Sequence, residues 1–301
     1  MSIDSELSHE SEIVGSILST IRDSRRIQIG VLIGPISIIL LGFFISPLIL
    51  MGWISVLTEL PPAPITVNNY IEIFTSDLYT TVLWKTVTIT VPVTVTSVAL
   101  GYILTYAIVR VSSYPKLLLI LVILPFWTNY IVRSYAWINI LQEGGVLDQI
   151  LLALNLISES QGYMYSYWTV FIGFVYSWLP FAVVPIYSSL TQMDFSQIEA
   201  SYDLGSGPLR TFYHITLPQT IGGIIAAFIL VGIPTFGSFV LPALLGGTGQ
   251  IMIGEIIEQQ FTTSFNWPLG SALGVITSVL VILTVAIAAM SGKDISLFKT
   301  G

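Results

Sequence analysis

Long apolar stretches separated by short polar ones dominate the pattern of this chain. Six runs approach or exceed the roughly 20 residues that a helix needs to cross a hydrocarbon core. They cover residues 27–56, 82–109, 117–140, 167–190, 219–241 and 269–290. None shows the period-2 alternation of a barrel strand, and charges are scarce within them, so each predicts a membrane-crossing α-helix. The third run is interrupted by Pro125, Asn129 and Arg133. Without it the chain would cross five times and its two ends would lie on opposite sides.

The polar intervals carry their own signals. Residues 58–80 are too long for a tight helix hairpin, and Pro61, Pro62 and Pro64 fix an extended start; an ordered cap is expected there. Residues 142–157 hold an apolar stretch too brief to span. Gly144 and Gly145 break the preceding helix, while Leu147, Ile150, Leu151 and Leu154 recur at helical spacing, predicting an interfacial or re-entrant helix. In the fifth run Pro234, Gly237 and Pro242 can bend a membrane helix or let its neighbours approach closely.

Composition agrees with a polytopic membrane protein. Apolar residues make up 54% and charged residues 9%, against about 25% charge in soluble domains. Charge placement favours six spans over five. Arg22, Arg25, Arg26, Arg110, Lys116, Arg210, Lys293 and Lys299 fall on one side of a six-span topology. Only Lys85 and Arg133 fall on the other, beside Glu59, Glu72, Asp77, Glu143, Asp148, Glu159, Glu255 and Glu258. The positive-inside rule then puts both termini and the loop at 191–218 in the cytoplasm. The first 26 residues lack a basic start and a small-residue cleavage site, so a retained cytoplasmic tail is expected. With no cysteine and only His9 and His214, thiolate or histidine-rich metal sites are not expected.

The 191–218 loop is the most informative segment. Glu199-Ala200-Ser201, then Gly205, then Ile215, Leu217 and Pro218 resemble the EAA loop of ABC-importer permeases, E-A-A, three residues, G, nine residues, I-x-L-P. Ser201 departs from the second alanine. Asp194 or Ser196 can cap a helix whose first turn holds Glu199, with Ala200, Ser201 and Leu204 forming a small apolar face. Gly205 stops that helix, and Pro218 opens the fifth span.

The resemblance implies an all-α, type I (MetI-like) permease with six transmembrane helices: one extra helix, then a five-helix core over 82–290. It further implies a membrane subunit paired with a second permease, an ABC ATPase dimer and an extracytoplasmic substrate-binding protein. ATPase coupling would fall to Glu199, Ala200, Ser201, Asp203, Gly205, Arg210, Leu217 and Pro218. No GxxxxGK[ST] sequence occurs, so ATP hydrolysis belongs to the partner. No catalytic set, cofactor, metal or nucleic-acid partner is implied.

Leu124-Pro125-Phe126-Trp127, Arg133, Tyr135, Ala136 and Trp137 are similar to a segment of the spermidine/putrescine uptake permeases. That likeness implies a polyamine as solute. Carboxylates and aromatic faces would then line its path, with Trp127, Tyr135, Tyr176, Trp178, Glu255 and Glu258 as candidates. Arg133 would repel a polycation, so a structural role is expected, paired with Glu143 or reaching the outer interface. Two alternatives stand. One is the same machine for an amino-acid derivative, iron, thiamine or an anion. The other is an ATP-independent secondary transporter, which would favour charged relays within the spans and inverted repeats.

Overall fold

The computed structural model describes residues 25–297. The expected leading tail with Arg22, the side chains of Arg25, Arg26 and Lys293, and Lys299 lie outside the described residues. The chain divides into two units, residues 1–54 and 55–301. In the first, α1 (Arg25–Ser55) is apolar on every side and contains Pro35 and Pro47. Its stretch Gly34–Ser55 is long and apolar enough to cross a membrane.

The second unit is built on helices α2 (Asn68–Thr75), α3 (Asp77–Val111), α4 (Pro115–Ile123), α5 (Tyr130–Leu141), α6 (Val146–Ala153) and α7 (Tyr167–Thr191). There follow α8 (Ser196–Asp203), α9 (Pro208–Thr211), α10 (Leu217–Phe236), α11 (Val240–Leu245), α12 (Ile253–Thr262) and α13 (Trp267–Leu297). Among the described residues, strand-like pairing is limited to one antiparallel bridge from Leu57 to Ile65. The segment expected as an ordered cap contains that bridge and α2. There Asn69 Nδ2 donates to the carbonyls of Ser55 and Leu57 at 2.9 and 2.8 Å.

Three long helices make the frame. At one end of α3 the Arg110 guanidinium lies 5.0 Å from the ring centroid of Phe195, just past α7. Near its other end Thr86 Oγ1 accepts from the Ile253 N–H at 2.9 Å, and Tyr167 at the start of α7 donates to the Thr88 carbonyl at 3.4 Å. Helices α3 and α7 therefore run the same way, from a cap end to a loop end. Helix α10 returns, since the Tyr102 hydroxyl lies 3.0 Å from Thr220 Oγ1 near its start. Two consecutive frame helices with one direction require residues 112–166 to travel back along the bundle. A five-span chain does not allow that return.

The return path corrects one expectation. The third span is not a continuous helix but α4, a 3-10 turn at Leu124–Trp127, and then α5. The helical halves on either side of the break diverge by 87°. Thr128 is extended (ψ 150°), and the Asn129 side chain accepts from the Ile131 and Val132 N–H groups. That cap starts a new helix beyond the interruption at Pro125. The fifth span likewise ends at Phe236 rather than near 241, with Gly237 as its C-cap; Pro242 belongs to α11.

Five threonines inside the frame are satisfied locally, whereas the buried hydroxyls of Thr90 and Ser97 have no partner. Thr86, Thr94, Thr105, Thr220 and Thr235 each donate to the carbonyl four residues earlier, which keeps a hydroxyl tolerable in an apolar bundle. Close approach does the rest. A Cβ on Gly101 would lie 2.9 Å from Ala182 Cβ, and one on Gly223 would lie 2.7 Å from the Pro185 carbonyl. These glycines let α3 and α10 pack directly on α7.

Helix α6 forms where 142–157 predicted one. Its buried residue is Asp148, while Ile150 and Leu154 are exposed. Asp148 Oδ2 accepts from the N–H groups of Gly144 and Gln161 and from the Ser160 hydroxyl. Three donors from the flanking loops hold the carboxylate inward, while Leu147 and Leu151 stay half-buried.

Candidate functional site: the loop between α7 and α10

Helix α8 begins where the Ser196 N–H donates to Asp194 Oδ1 at 3.0 Å. The Ser196 hydroxyl and N–H hold the Asp194 carboxyl below its usual range. Glu199 lies in the first turn, favourable at the positive end of a helix. At the other end Ser206 N–H donates to the Ser201 carbonyl (3.0 Å) and Gly205 N–H to the Tyr202 carbonyl (2.9 Å). With Gly205 at φ +82°, this is a Schellman ending, which needs a left-handed residue at that position. The motif's glycine is thus explained by backbone geometry.

The two faces of α8 divide sharply. Ile198 is buried, and so is Ser201, whose hydroxyl lies 2.9 Å from Thr211 Oγ1 on α9. Glu199, Ala200, Asp203, Gly205 and Arg210 are exposed, as are Tyr202, Leu209 and Tyr213, and Leu204 is 86% exposed. One expectation needs correction here. Ser201 does not share the outward apolar face with Ala200 and Leu204, because its hydroxyl is taken up inside the loop. Leu217 is half-buried and Pro218 exposed in the first turn of α10. A π-helical turn, Phe212–Thr216, precedes them. The internal contacts of Ile198, Thr211 and Phe212 escaped sequence reasoning, since nothing in the spacing shows what α8 packs against.

The loop is therefore a firm knuckle with an outward surface of apolar side chains flanked by Glu199, Asp203 and Arg210. It has the form of a docking element, with few internal groups free to do chemistry.

A second group of candidates lies towards the cap end. Tyr176 contacts Phe126 and Trp137 (centroids 5.7 and 5.5 Å), and Trp178 stacks on Tyr130 at 5.8 Å. Arg133 sits 4.5 Å from the Phe126 ring centroid, with Nε and Nη1 buried and without hydrogen-bond partners. The expected pairing with Glu143 is absent; aromatic faces hold the charge instead. Trp127 and Tyr135 are exposed and outside this cluster. On α12, Glu255 and Glu258 share a face. Glu255 Oε2 is buried and unpartnered, and burial together with the Glu258 charge pushes its carboxyl up from the ordinary 4.5.

Comparison with known proteins agrees with this geometry. Residues 83–296 match the family described as the inner membrane component of binding-protein-dependent transport systems. The spermidine/putrescine transport system permease protein PotB of Haemophilus influenzae is 35% identical over 231 residues, 76% of this chain and 80% of the relative. PotB of Escherichia coli is 36% identical over 216 residues, covering 71% and 78%. The inner membrane ABC transporter permease protein YdcU of Escherichia coli is 32% identical over 74% of each chain. In fold, the chain matches a bacterial ABC transporter that imports the acidic polysaccharide alginate. The TM-score is 0.71 over 93% of this chain and 99% of the other, at 16% identity. The chain belongs to the inner-membrane components of binding-protein-dependent transport systems, as a permease subunit of an ABC importer and not an enzyme.

Proposed function

We propose that this subunit imports a polyamine such as spermidine or putrescine, delivered by an extracytoplasmic binding protein and driven by a separate ABC ATPase dimer. A second permease completes the pore. The single observation that carries the solute is 35–36% identity to the two PotB permeases over most of both chains. The acceptors available for an ammonium group support it: the unpartnered Glu255 carboxylate oxygen, Glu258 beside it, and the rings of Tyr176 and Trp178. Trp127 and Tyr135, outside the aromatic cluster, would meet solute only along the outer approach.

The loop end faces the cytoplasm in this reading. Arg110, Lys116 and Arg210 belong to that end and Lys85 to the cap end, which supports the orientation. The residues before α1 and after α13 are then cytoplasmic tails, and 58–81 is external. Helix α8 seats in a groove on one ATPase subunit through Glu199, Ala200, Asp203 and Leu204, with Arg210 as a polar contact. Gly205 fixes the end of α8. Leu217 and Pro218 carry the movement into α10, and Ser201 works from within by joining α8 to α9. Closure of the ATPase dimer on ATP draws the knuckle with it, and rocking of the frame helices exposes the pathway alternately to each side.

The test is ATP-dependent uptake of labelled spermidine by the reconstituted four-component complex. Saturable uptake competed by putrescine supports the proposal. Transport of another solute class with spermidine excluded contradicts it.

A further inference from the structure

The coupling loop touches α3 at two points, and at the start of α10 Gln219 Nε2 donates to Gln197 Oε1 of α8 at 2.9 Å. On the entry side the Arg110 guanidinium covers the Phe195 ring, the residue immediately before α8. On the exit side Phe212, first residue of the π-helical turn, stands edge-on to Tyr102 and Tyr106. Its centroid lies 5.7 and 6.5 Å from theirs, with interplanar angles of 87° and 85°. Tyr102 and Tyr106 stack on each other at 6.5 Å. The Tyr102 hydroxyl continues to Thr220 Oγ1 on α10, buried at 3.0 Å. Within the loop, the Ser201–Thr211 bond ties α8 to α9.

We propose that the loop-end half of α3 receives the stroke, with Tyr102 and Arg110 as positioning residues that grip the coupling loop on both flanks. This rests on the functional reading above and adds to it which body moves. Helices α3, α7 and α10 have little room to slide past one another where Gly101 meets Ala182 and Gly223 meets Ser189 and Pro185. They form one block with the knuckle. The neighbouring α13 is less tightly joined: it touches α10, but an apolar groove of about 280 Å³ opens between it, α3 and α10, with Thr90, Val91, Phe228, Ile233, Val281 and Val285 among its lining. Relative motion on each stroke is confined to that groove, because interfaces packed to contact resist shear and a gap does not.

Two measurements on the complete transporter test this. The first compares ATP hydrolysed per solute imported. Tyr102→Ala and Phe212→Ala each raise that ratio about tenfold, the scale of a coupling interaction, and the double variant adds little more. Tyr102→Phe, which keeps the ring stack, stays nearer wild type, and Ile103→Ala, at an exposed neighbouring position, does not change it. Loss of uptake and hydrolysis in equal proportion, or an unchanged ratio, overturns the proposal. The second uses wild-type packing and the absence of cysteine from the chain. Spin labels on cysteines at Leu204 and Val111 keep their separation between nucleotide-free and ATP-bound states, while labels at Val91 and Leu283, across the groove, change theirs. A changed Leu204–Val111 separation overturns the proposal even if the ratio behaves as expected. A wild-type complex without solute-stimulated hydrolysis instead overturns the functional reading, and this inference with it.

Discussion

The hydroxyls of Ser201 and Thr211 lie 2.9 Å apart in the buried interior of the coupling loop. Ser201 stands where the importer motif carries alanine, and Thr211 supplies the partner that makes a buried hydroxyl acceptable there. Ser201→Ala leaves Thr211 Oγ1 without this bond and is expected to cost about 1–2 kcal/mol. Adding Thr211→Val removes the orphaned group and recovers most of that loss. A double-mutant cycle by thermal melting in detergent checks this; strictly additive losses contradict a direct pair.

Gly205 has open space around the position of a Cβ and a φ of +82°. The penalty for a side chain there is thus conformational, not a clash. Gly205→Val is expected to cost about 1–2 kcal/mol at the end of α8 and to reshape the knuckle, uncoupling ATP hydrolysis from uptake while insertion persists. Gly205→Asn, which tolerates left-handed backbone, is milder. Hydrolysis and uptake assays on the same membranes decide; wild-type uptake by the valine variant contradicts the coupling role.

Glu255 holds its proton more tightly in the folded protein than when unfolded, through burial first and the Glu258 charge second. Its contribution to stability is fully present below the ordinary carboxyl value of 4.5 and is lost as pH rises through the raised folded value. Glu255→Gln therefore melts above wild type at neutral pH, and the difference shrinks as pH falls from the raised folded value towards that ordinary value. A difference that ignores pH contradicts the buried-carboxyl environment. The same variant is expected to weaken polyamine uptake if its free oxygen receives an ammonium group.

Arg133 packs on Phe126 and Tyr130 without a carboxylate partner. Arg133→Lys replaces a flat guanidinium by a compact, more strongly hydrated charge and loses stacking worth about 1 kcal/mol. Glu143→Gln is expected to be neutral, because no pairing with Arg133 exists to lose. Melting of both variants separates these outcomes; destabilisation by Glu143→Gln that vanishes in an Arg133→Met background contradicts the aromatic seat.

The long apolar runs made the frame legible in the sequence, since length and lack of charge suffice to mark a membrane helix. The capped, glycine-ended helix between α7 and α10 was legible because its glycine and flanking residues keep a fixed spacing. Three features escaped. The break after Trp127 depends on Asn129 capping a new helix, and asparagine caps and turns look alike in sequence. Helix α6 reads as amphipathic, but the buried seat of Asp148 depends on three donors brought from 144, 160 and 161, which spacing does not show. The Arg133 seat depends on rings from α5 and the preceding turn that only the bend brings beneath it.

Leu204, 86% exposed at the tip of α8, offers the most direct test of the central claim, because the chain has no other thiol. A cysteine at Leu204 is exposed to a membrane-impermeant maleimide in inside-out and in right-side-out vesicles, with and without the ATPase subunit. The expected result is labelling in inside-out vesicles only, with protection once the ATPase binds. Labelling from the outside of intact cells, or labelling indifferent to the ATPase, would contradict a cytoplasmic coupling helix.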